Sequence, residues 1–295
     1  MLTGSDGGGG ADSGSGGGGG GGGNTGGGGF VDGGGSGSTL LSFAVFGDAR
    51  PGSPNQTSSY PTAILSSIFS HAQAKGAQFA VGTGDYMFAS NATEVTAQVQ
   101  LLEQAQAHFT GPIYHTMGNH ECTGYTASNC PSLTETPNVQ AFLKLLPSGV
   151  ATPWYRVDYA TAMGKAKFLF VAANAWTTAQ DAWLKAQLAD PTAYTFIVRH
   201  EPSYDATAPG VTPSDQAAAN APYTIMLLGH THAYRRLDPK HVISGNAGAP
   251  ISNGGSYGFL LFQQQADGTL TASEIDEATG NASDTWRIDA TGKAL

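Results

Sequence analysis

LLSFAVFGD, residues 40–48, joins a short apolar run to a glycine and an aspartate. The pattern returns twice: FAVGTGD ends at Asp85, and IYHTMGNHE carries Asn119 and His120 after its glycine. A short apolar run that stops at a glycine is typical of a buried strand. Between the first two runs, the apolar residues of 64–72 fall on one face of a helix that opens at Pro61. The stretch therefore predicts alternating strands and helices.

The rest of the chain continues this alternation and then changes. We predict helices at 94–109, 139–146 and 180–188, and strands at 154–159, 167–172, 194–198 and 223–228. From His241 onward, short apolar segments such as 257–262 and 269–275 are separated by turn signals, which is typical of antiparallel strands. The predicted fold class is α/β, with two β-sheets packed as a sandwich and helices on the outside.

The composition divides the chain at residue 38. Residues 1–38 contain 22 of the 42 glycines and no Lys or Arg. Such a segment has too little apolar surface to offset the entropy of ordering it, so we predict a disordered Gly-rich tail or linker. Residues 39–295 are ordinary in composition and long enough for one large core, which predicts a single domain.

Charge and hydropathy exclude several partners. The net charge is −9, and the sequence has no cluster of Lys and Arg. An acidic chain of this kind is a poor candidate for binding nucleic acid through its phosphates. No apolar run approaches the roughly 18 residues of a membrane-spanning helix. We expect no nucleic-acid partner, no transmembrane segment and a monomer.

The two cysteines and the first residues bear on localisation. Cys122 and Cys130 could close a small disulfide, which would indicate an oxidising compartment, and two unpaired thiols are the alternative. Residues 1–5 lack the charged start and apolar core of an export signal. We expect an extracytoplasmic protein that is secreted, periplasmic or surface-tethered. Its signal peptide would have been removed, and a lipoprotein anchor on the native precursor is one option.

Polar side chains that can bind metals follow five of the predicted strands. They are Asp48, Asp85, Asn119 with His120, His200, and His230 with His232. Loops at the carboxyl ends of strands in α/β sheets converge on one crevice. One Gly-Asp pair is usually only a turn, but five such groups in this order are a specific signal. Asp, Asn and His together offer oxygen and nitrogen donors suited to Mn, Fe or Zn.

These groups resemble the five ordered motifs of the calcineurin-like metallophosphoesterase superfamily, over residues 40–288. The resemblance implies an α/β/β/α sandwich with two divalent metal ions at one edge. It also implies that Asp85 bridges the ions, with Asp48 and His232 on one ion. The metal ligands on the other ion would be Asn119, His200 and His230.

The implied activity is hydrolysis of phosphomonoesters or phosphodiesters by a water that two metal ions activate. Two cations about 3.5–4 Å apart polarise phosphoryl oxygens and lower the pKa of a shared water. His120 would be the catalytic residue that faces the substrate, either protonating the leaving alkoxide or orienting the phosphoryl group. Glu121 would orient His120, support a ligand, or simply be exposed.

Two positions depart from the family pattern. Arg50 stands where many members carry a His ligand, and Phe88 stands where the purple acid phosphatase branch carries a Tyr ligand. The order of the motifs resembles that of the purple acid phosphatase branch, but the tyrosine ligand of that branch is absent. Arg50 would either bind the substrate phosphate through its planar fork or pair with a carboxylate as a structural residue. We therefore expect the first metal site to bind its ion more weakly.

Several alternatives stay open at this point. The leading hypothesis is a phosphatase or phosphodiesterase acting on a small phosphorylated substrate. A nuclease of the same superfamily is second, and a non-catalytic binding module that keeps the metals for stability is a third. Tyr204, Tyr234 and Trp176 are candidate pocket walls, although for Trp176 the core is the better interpretation.

Overall fold

Two β-sheets carry the fold, and residues 40–48 lead into the middle of one of them. The computed structural model describes residues 27–123, 129–130, 133, 136–252 and 254–295. Its strands are β1 (Gly29–Gly35), β2 (Ser42–Phe46), β3 (Phe79–Gly82), β4 (Ile113–His115), β5 (Tyr155–Thr161), β6 (Gly164–Val171), β7 (Tyr194–Arg199), β8 (Ile225–Leu228), β9 (Tyr234–Asp238), β10 (His241–Ser244), β11 (Gly258–Gln264), β12 (Leu270–Asp276) and β13 (Ala282–Ile288). Its helices are α1 (Thr62–Ala74), α2 (Ala92–Gln106), α3 (Asn119–Thr123), α4 (Pro137–Leu145), α5 (Thr178–Ala189) and α6 (Val211–Ala219).

The order of the strands places the predicted motifs at two neighbouring edges. One sheet runs β1-β5-β6-β7-β8-β10-β9, and the other runs β13-β12-β11-β2-β3-β4. Strands β2, β3 and β4 are parallel to one another, as are β6, β7, β8 and β10. The antiparallel strands predicted at 257–262 and 269–275 are confirmed in β11 and β12, whereas β10, which begins at His241, pairs in parallel with β8 and antiparallel with β9. Parallel strands end at one edge of a sheet, so the loops after β2, β3 and β4 leave their sheet together.

Phe43 of β2 packs at the centre of the sandwich. Its ring stacks on Phe79 and Phe262 of its own sheet, with centroids 5.3 and 4.9 Å away. Phe168 and Phe196 of the opposite sheet meet it edge-on, each at 5.0 Å. An aromatic pair contributes about 0.5–1.5 kcal/mol beyond the area that it buries. The opening stretch therefore fixes β2 against both sheets.

Helices cover the outer faces of the two sheets. Leu65 and Phe69 of α1 are buried, so the helical face predicted after Pro61 is confirmed. On the other side, Trp183 of α5 packs in one cluster with Ile197 of β7. The predicted fold class, two packed sheets flanked by helices, is confirmed. None of the described helices combines the length and the apolar character that crossing a bilayer requires.

The N-terminal edge strand lies inside the predicted tail. Residues 29–35 pair in parallel with β5, although a Gly-rich composition predicted disorder for residues 1–38. Glycine is what lets this strand approach its neighbours: a Cβ at Gly28 or Gly33 would lie within 2.3 or 2.4 Å of Trp183 or Tyr159. Backbone pairing and this close approach hold the strand in place, although its glycines have no side chains to pack. Residues 1–26 of the predicted tail lie outside the described residues.

Cys122 and Cys130 are joined in a disulfide, with their Cα atoms 5.3 Å apart. The amide of Cys130 also donates to the carbonyl of Asn174, at 2.9 Å. The bond connects the end of α3 to the segment that precedes α4. Of the two alternatives for the cysteines, the structure therefore has the disulfide.

Candidate metal centre

The structure brings the six predicted ligands together at the carboxyl ends of the central strands. Three of them, Asp48, Asp85 and His232, form what we term the first half-site. Each offers one ligand atom, and these atoms all lie within 4.8 Å of one another. The shortest contact of His232 within this group joins its Nε2 to Oδ1 of Asp48, at 3.8 Å. A carboxylate pair and an imidazole thus surround one small space.

The second half-site consists of Asp85, Asn119, His200 and His230. Oδ1 of Asn119 lies 3.0 Å from His200 Nε2 and 3.2 Å from His230 Nδ1. These two imidazole nitrogens are 3.3 Å apart. Oδ1 of Asp85 is also 3.3 Å from His200 Nε2. Asp85 therefore belongs to both half-sites, which is the arrangement that a bridging ligand requires.

Four of the six predicted ligands adopt a left-handed backbone that non-glycine residues rarely use. The φ angles of Asp48, Asp85, His230 and His232 are 57°, 60°, 77° and 48°. His230 and His232 lie in the loop between β8 and β9, directly after the strand that the sequence predicted at 223–228. Such backbone strain is concentrated at functional sites, where the surroundings hold it in place.

Glycines make room for the two carboxylates. A Cβ at Gly118 would lie 2.4 Å from Oδ1 of Asp85, and a Cβ at Gly245 would lie 2.5 Å from Oδ2 of Asp48. Both distances are too short for any side chain. The two glycines therefore let backbone approach the carboxylates closely. Gly118 was part of a predicted motif, whereas Gly245 was not.

Glu121 holds the loops that carry the ligands. Its buried carboxylate accepts hydrogen bonds from the backbone amides of Asp85, Tyr86 and Gly118, at 2.8, 2.7 and 2.8 Å. Of the alternatives raised by the sequence, this geometry favours support of a ligand, because the side chain is fully buried. A carboxylate with three amide donors holds the left-handed turn at Asp85 and the start of α3 in one arrangement.

Backbone carbonyls orient two of the histidines. Nδ1 of His200 lies 2.8 Å from the carbonyl oxygen of Thr83, and Nδ1 of His232 lies 3.2 Å from that of Pro250. An imidazole that donates its Nδ1–H to a carbonyl turns its Nε2 lone pair toward a metal. Both Nε2 atoms face the half-sites described above.

Burial and mutual charge set the proton affinities of the acidic ligands. Burial raises the pKa of Asp48 from 3.8 to about 8, although the charge of His200 opposes it. Burial also opposes ionisation of Asp85, but the charges of His200 and His120 outweigh it and hold its pKa well below the usual value. For His200, the carboxylate of Asp85 outweighs burial and raises the pKa to about 10.

The other two imidazoles favour the neutral form. Burial and the charge of Arg50 lower the pKa of His232 to about 4, and burial together with His200 lowers that of His230. Neutral imidazoles offer a lone pair to a metal. The raised pKa values of Asp48 and His200 instead favour their protonated forms, and metal binding would release those protons.

The donor set fits metal ions. Two carboxylates, an amide oxygen and three imidazoles are the mixed hard and borderline ligands that Mn, Fe and Zn accept. Oδ1 of Asp48 is buried and forms no hydrogen bond within the described part of the chain. A buried oxygen without a partner is expected where the atom binds a cation. The donor atoms of the second half-site suit a metal ion as they stand. The first half-site also contains the positively charged side chain of Arg50.

Arg50 lies inside the first half-site. Its Nη2 is 2.9 Å from Nε2 of His232, and its Nε is 3.4 Å from Oδ2 of Asp85. The guanidinium stacks over the ring of Phe88, 4.5 Å from the centroid. Phe88 stands at the position where the purple acid phosphatase branch carries its tyrosine ligand. In this chain, its ring supports the guanidinium of Arg50 instead.

The remaining candidates lie at and beyond the rim. His120 packs edge-on against Phe88, and its Nε2 is 3.7 Å from Oδ2 of Asp85. Tyr204 is 55 % exposed, and Tyr234 donates to Asp284. Trp176 packs against the apolar cluster outside the first-described sheet, in agreement with its interpretation as a core residue.

A sandwich of two sheets flanked by helices, with Asp, Asn and His gathered at the strand ends, defines the class of metallophosphoesterases. The chain belongs to the calcineurin-like phosphoesterase family, whose sequence model matches residues 42–234. A comparison with curated proteins found no significant match.

Solved structures with the same fold include two phosphatases. A purple acid phosphatase from seeds of yellow lupin (Lupinus luteus) is 16 % identical, with a TM-score of 0.63 over 86 % of this chain and 55 % of that one. A dimetal phosphatase from Danio rerio is 13 % identical, with a TM-score of 0.57 over 85 % of this chain and 99 % of that one. The chain therefore spans about half of the lupin protein. At these identities the likeness shows the shared fold.

Proposed function

We propose that this chain is a dinuclear metallophosphoesterase that hydrolyses small phosphomonoesters or phosphodiesters. The observation that carries the proposal is the position of Asp85. Its Oδ1 faces His200 of the second half-site, at 3.3 Å, and its carboxylate also belongs to the cluster with Asp48 and His232. One carboxylate between two sets of ligands is the arrangement that places two cations side by side.

Each ligand has a place in this proposal. Asp48 and His232 would hold one ion, Asn119, His200 and His230 the other, and Asp85 both. The ions would be Mn, Fe or Zn, since all three accept these donors. When bound, two such cations polarise the phosphoryl oxygens and lower the pKa of a shared water.

His120 is the proposed proton donor to the leaving oxygen. Its ring lies beside Asp85 without belonging to either set of ligands, which favours a role toward the substrate. The amide of His120 donates to Oδ1 of Asp85 at 3.1 Å, and this hydrogen bond fixes the position of His120 relative to the proposed bridging carboxylate. Imidazole is the side chain best suited to deliver a proton near neutral pH.

Arg50 is the proposed contact for the phosphoryl group. Within the described part of the chain, the ion pair that Asp85 forms with a lysine or arginine side chain is the one with Arg50. A guanidinium binds two phosphoryl oxygens at once through its planar fork. The substrate would therefore lie between Arg50, His120 and the metal ions.

An extracytoplasmic location is also proposed, whether secreted, periplasmic or surface-tethered through a lipid anchor. The disulfide between Cys122 and Cys130 supports it, because such bonds persist in oxidising compartments. We propose a monomer as the working state.

Hydrolysis assays test the proposal. Metal-stripped protein is given Mn, Fe or Zn together with p-nitrophenyl phosphate or bis-p-nitrophenyl phosphate, and a chelator is added as the control. Metal-dependent turnover that the chelator abolishes is expected. Metal binding without turnover of either ester would favour the non-catalytic binding module. Cleavage of single-stranded DNA faster than either ester would favour the nuclease. Metal analysis of the active protein would identify the ions.

A further inference from the structure

Arg50 binds the same atoms that an ion in the first half-site would need. A guanidinium has only donors, so the 2.9 Å contact from its Nη2 requires Nε2 of His232 to be the acceptor. That contact uses the one lone pair through which His232 could bind a metal. The Nε of Arg50 also donates to Oδ2 of Asp85. An ion and Arg50 in this position therefore exclude each other at His232.

The guanidinium is well held where it lies. Nη1 donates to the carbonyl of Pro51 at 3.1 Å, and the plane stacks on Phe88. Arg50 is only 8 % exposed, so its charge is poorly screened by water. Its ion pair with Asp85 provides the compensation that a buried cation requires.

The second half-site has no counterpart of Arg50. Within the described part of the chain, no Lys or Arg forms a hydrogen bond or an ion pair with Asn119, His200 or His230. An ion could therefore enter this half-site without displacing a lysine or arginine side chain. The two half-sites therefore differ in that the guanidinium of Arg50 contacts the ligand atoms of the first, at His232 and at the shared Asp85.

We propose that Arg50 is an internal cation of the first half-site, so that the two half-sites load in a fixed order. This inference rests on the proposed function. The second half-site fills first, while Arg50 remains on His232 and Asp85. The first half-site fills when the guanidinium leaves His232, and a phosphate anion favours this step because it offers Arg50 a new partner. Phosphate and the ion of the first half-site then bind cooperatively. Each of them increases the affinity of the protein for the other by the same factor.

Calorimetric titration of metal-stripped protein with Mn²⁺ tests the order of loading. Wild type should show two classes of site, and Asn119→Ala should remove the tighter one. Arg50→Met removes the charge and the donors but keeps an unbranched chain. It should tighten the weaker class about 10- to 100-fold, the range over which neighbours of a metal change its affinity, and leave the tighter class unchanged. The matched control is Arg235→Met, which removes an exposed arginine that stacks on Tyr204.

Inorganic phosphate provides the second arm of the experiment. In wild type, phosphate should strengthen the weaker Mn²⁺ binding event, and in Arg50→Met this enhancement should disappear. Arg50→Lys keeps a cation without the planar fork, so it should leave the weaker class weak. This variant also guards against misfolding of Arg50→Met, and circular dichroism checks all of them.

The outcomes separate this inference from the proposed function. Two classes of equal affinity in wild type, or a weaker class that Arg50→Met leaves unchanged, would overturn the inference while metal-dependent hydrolysis continued to support the function. Phosphate enhancement of equal size in wild type and Arg50→Met would also overturn it. If neither protein bound any metal, the proposed function would fail and the inference with it.

Discussion

Buried carboxylates occur both at the candidate metal centre and in β12, and their surroundings differ. At the candidate metal centre, Asp48 and Asp85 stand on left-handed backbone and face histidines and Arg50. In β12, Glu274 stands on an extended strand, next to a register shift in the pairing with β13, and its partner on β13 is another acid, Asp284. The first group has cations and imidazoles around it, whereas the second has an amide and a like charge.

Hydrogen bonds sharpen this comparison. The carboxylate of Glu274 accepts a hydrogen bond from Nδ2 of Asn246 at 2.7 Å, and its Oε2 has no partner among the described residues. Burial raises its pKa to about 8. By contrast, the neighbouring charges keep Asp85 ionised. Burial thus favours the neutral acid at Glu274 and at Asp48, whereas at Asp85 the charges that converge on the carboxylate outweigh burial.

The largest effect is expected at the bridging position. Asp85→Ala should abolish hydrolysis and release both metal ions, because one carboxylate serves both half-sites. Turnover of p-nitrophenyl phosphate and metal content by mass spectrometry measure the two effects. Glu274→Gln is the matched control, since it alters a buried carboxylate outside the centre and should leave the metal content unchanged. Retention of more than a few per cent of activity in Asp85→Ala at saturating metal would contradict the bridging role.

The next effect concerns a residue beside the ligands. His120→Ala should slow hydrolysis of alkyl phosphates about 10²–10⁴-fold, the range of a general acid, while metal content stays close to wild type. The loss should be smaller for p-nitrophenyl phosphate, because p-nitrophenolate leaves without a proton. Steady-state rates on the two substrate types measure this difference. Equal losses on both would indicate that His120 orients the phosphoryl group instead.

A moderate effect on stability is expected from the disulfide. Reducing the bond between Cys122 and Cys130, or replacing both cysteines by serine, should lower the free energy of unfolding by at most about 2–3 kcal/mol, because the closed loop is short. Urea denaturation measures the change. Mass spectrometry of non-reduced peptides should find the pair linked. Two thiols that react with an alkylating agent, in protein made in an oxidising compartment, would refute the bond.

Most strands and all the predicted ligands could be located from the sequence because their signals are local. Apolar runs that end at glycine became β2 and β3, and the polar residues after them meet because parallel strands share an edge. Elements with weak local signals were missed. Strand β1 is Gly-rich, α6 carries Pro213 in its first turn, and β13 exposes most of its residues.

Contacts between distant residues could not be predicted. Arg50 and His232 are separated by 182 positions, and no pattern indicates that they touch. The left-handed backbone of His230 and His232 depends on their surroundings rather than on their residue type. For Glu121 a signal was present, since its carboxylate accepts from the amide of Gly118, only three positions earlier in the same motif. The sequence therefore indicated which residues the fold brings together, but not that Arg50 lies between two of them, His232 and Asp85.

The smallest effect is expected at Glu274, and it depends on pH. The folded protein raises the pKa of this carboxyl from 4.5 to about 8, so between these values it holds a proton that the unfolded chain releases. Stability must then fall as the pH rises through this interval, because the folded state binds more protons. Glu274→Gln keeps the acceptor for Asn246 but cannot ionise. It should match wild type near pH 5 and be more stable above pH 8 in urea denaturation of metal-free protein. Glu103→Gln, an exposed site on α2, is the matched control and should follow the wild-type curve. If Glu274→Gln ran parallel to wild type across this range, Glu274 would be ionised in the fold and the comparison with Asp85 would lose its basis.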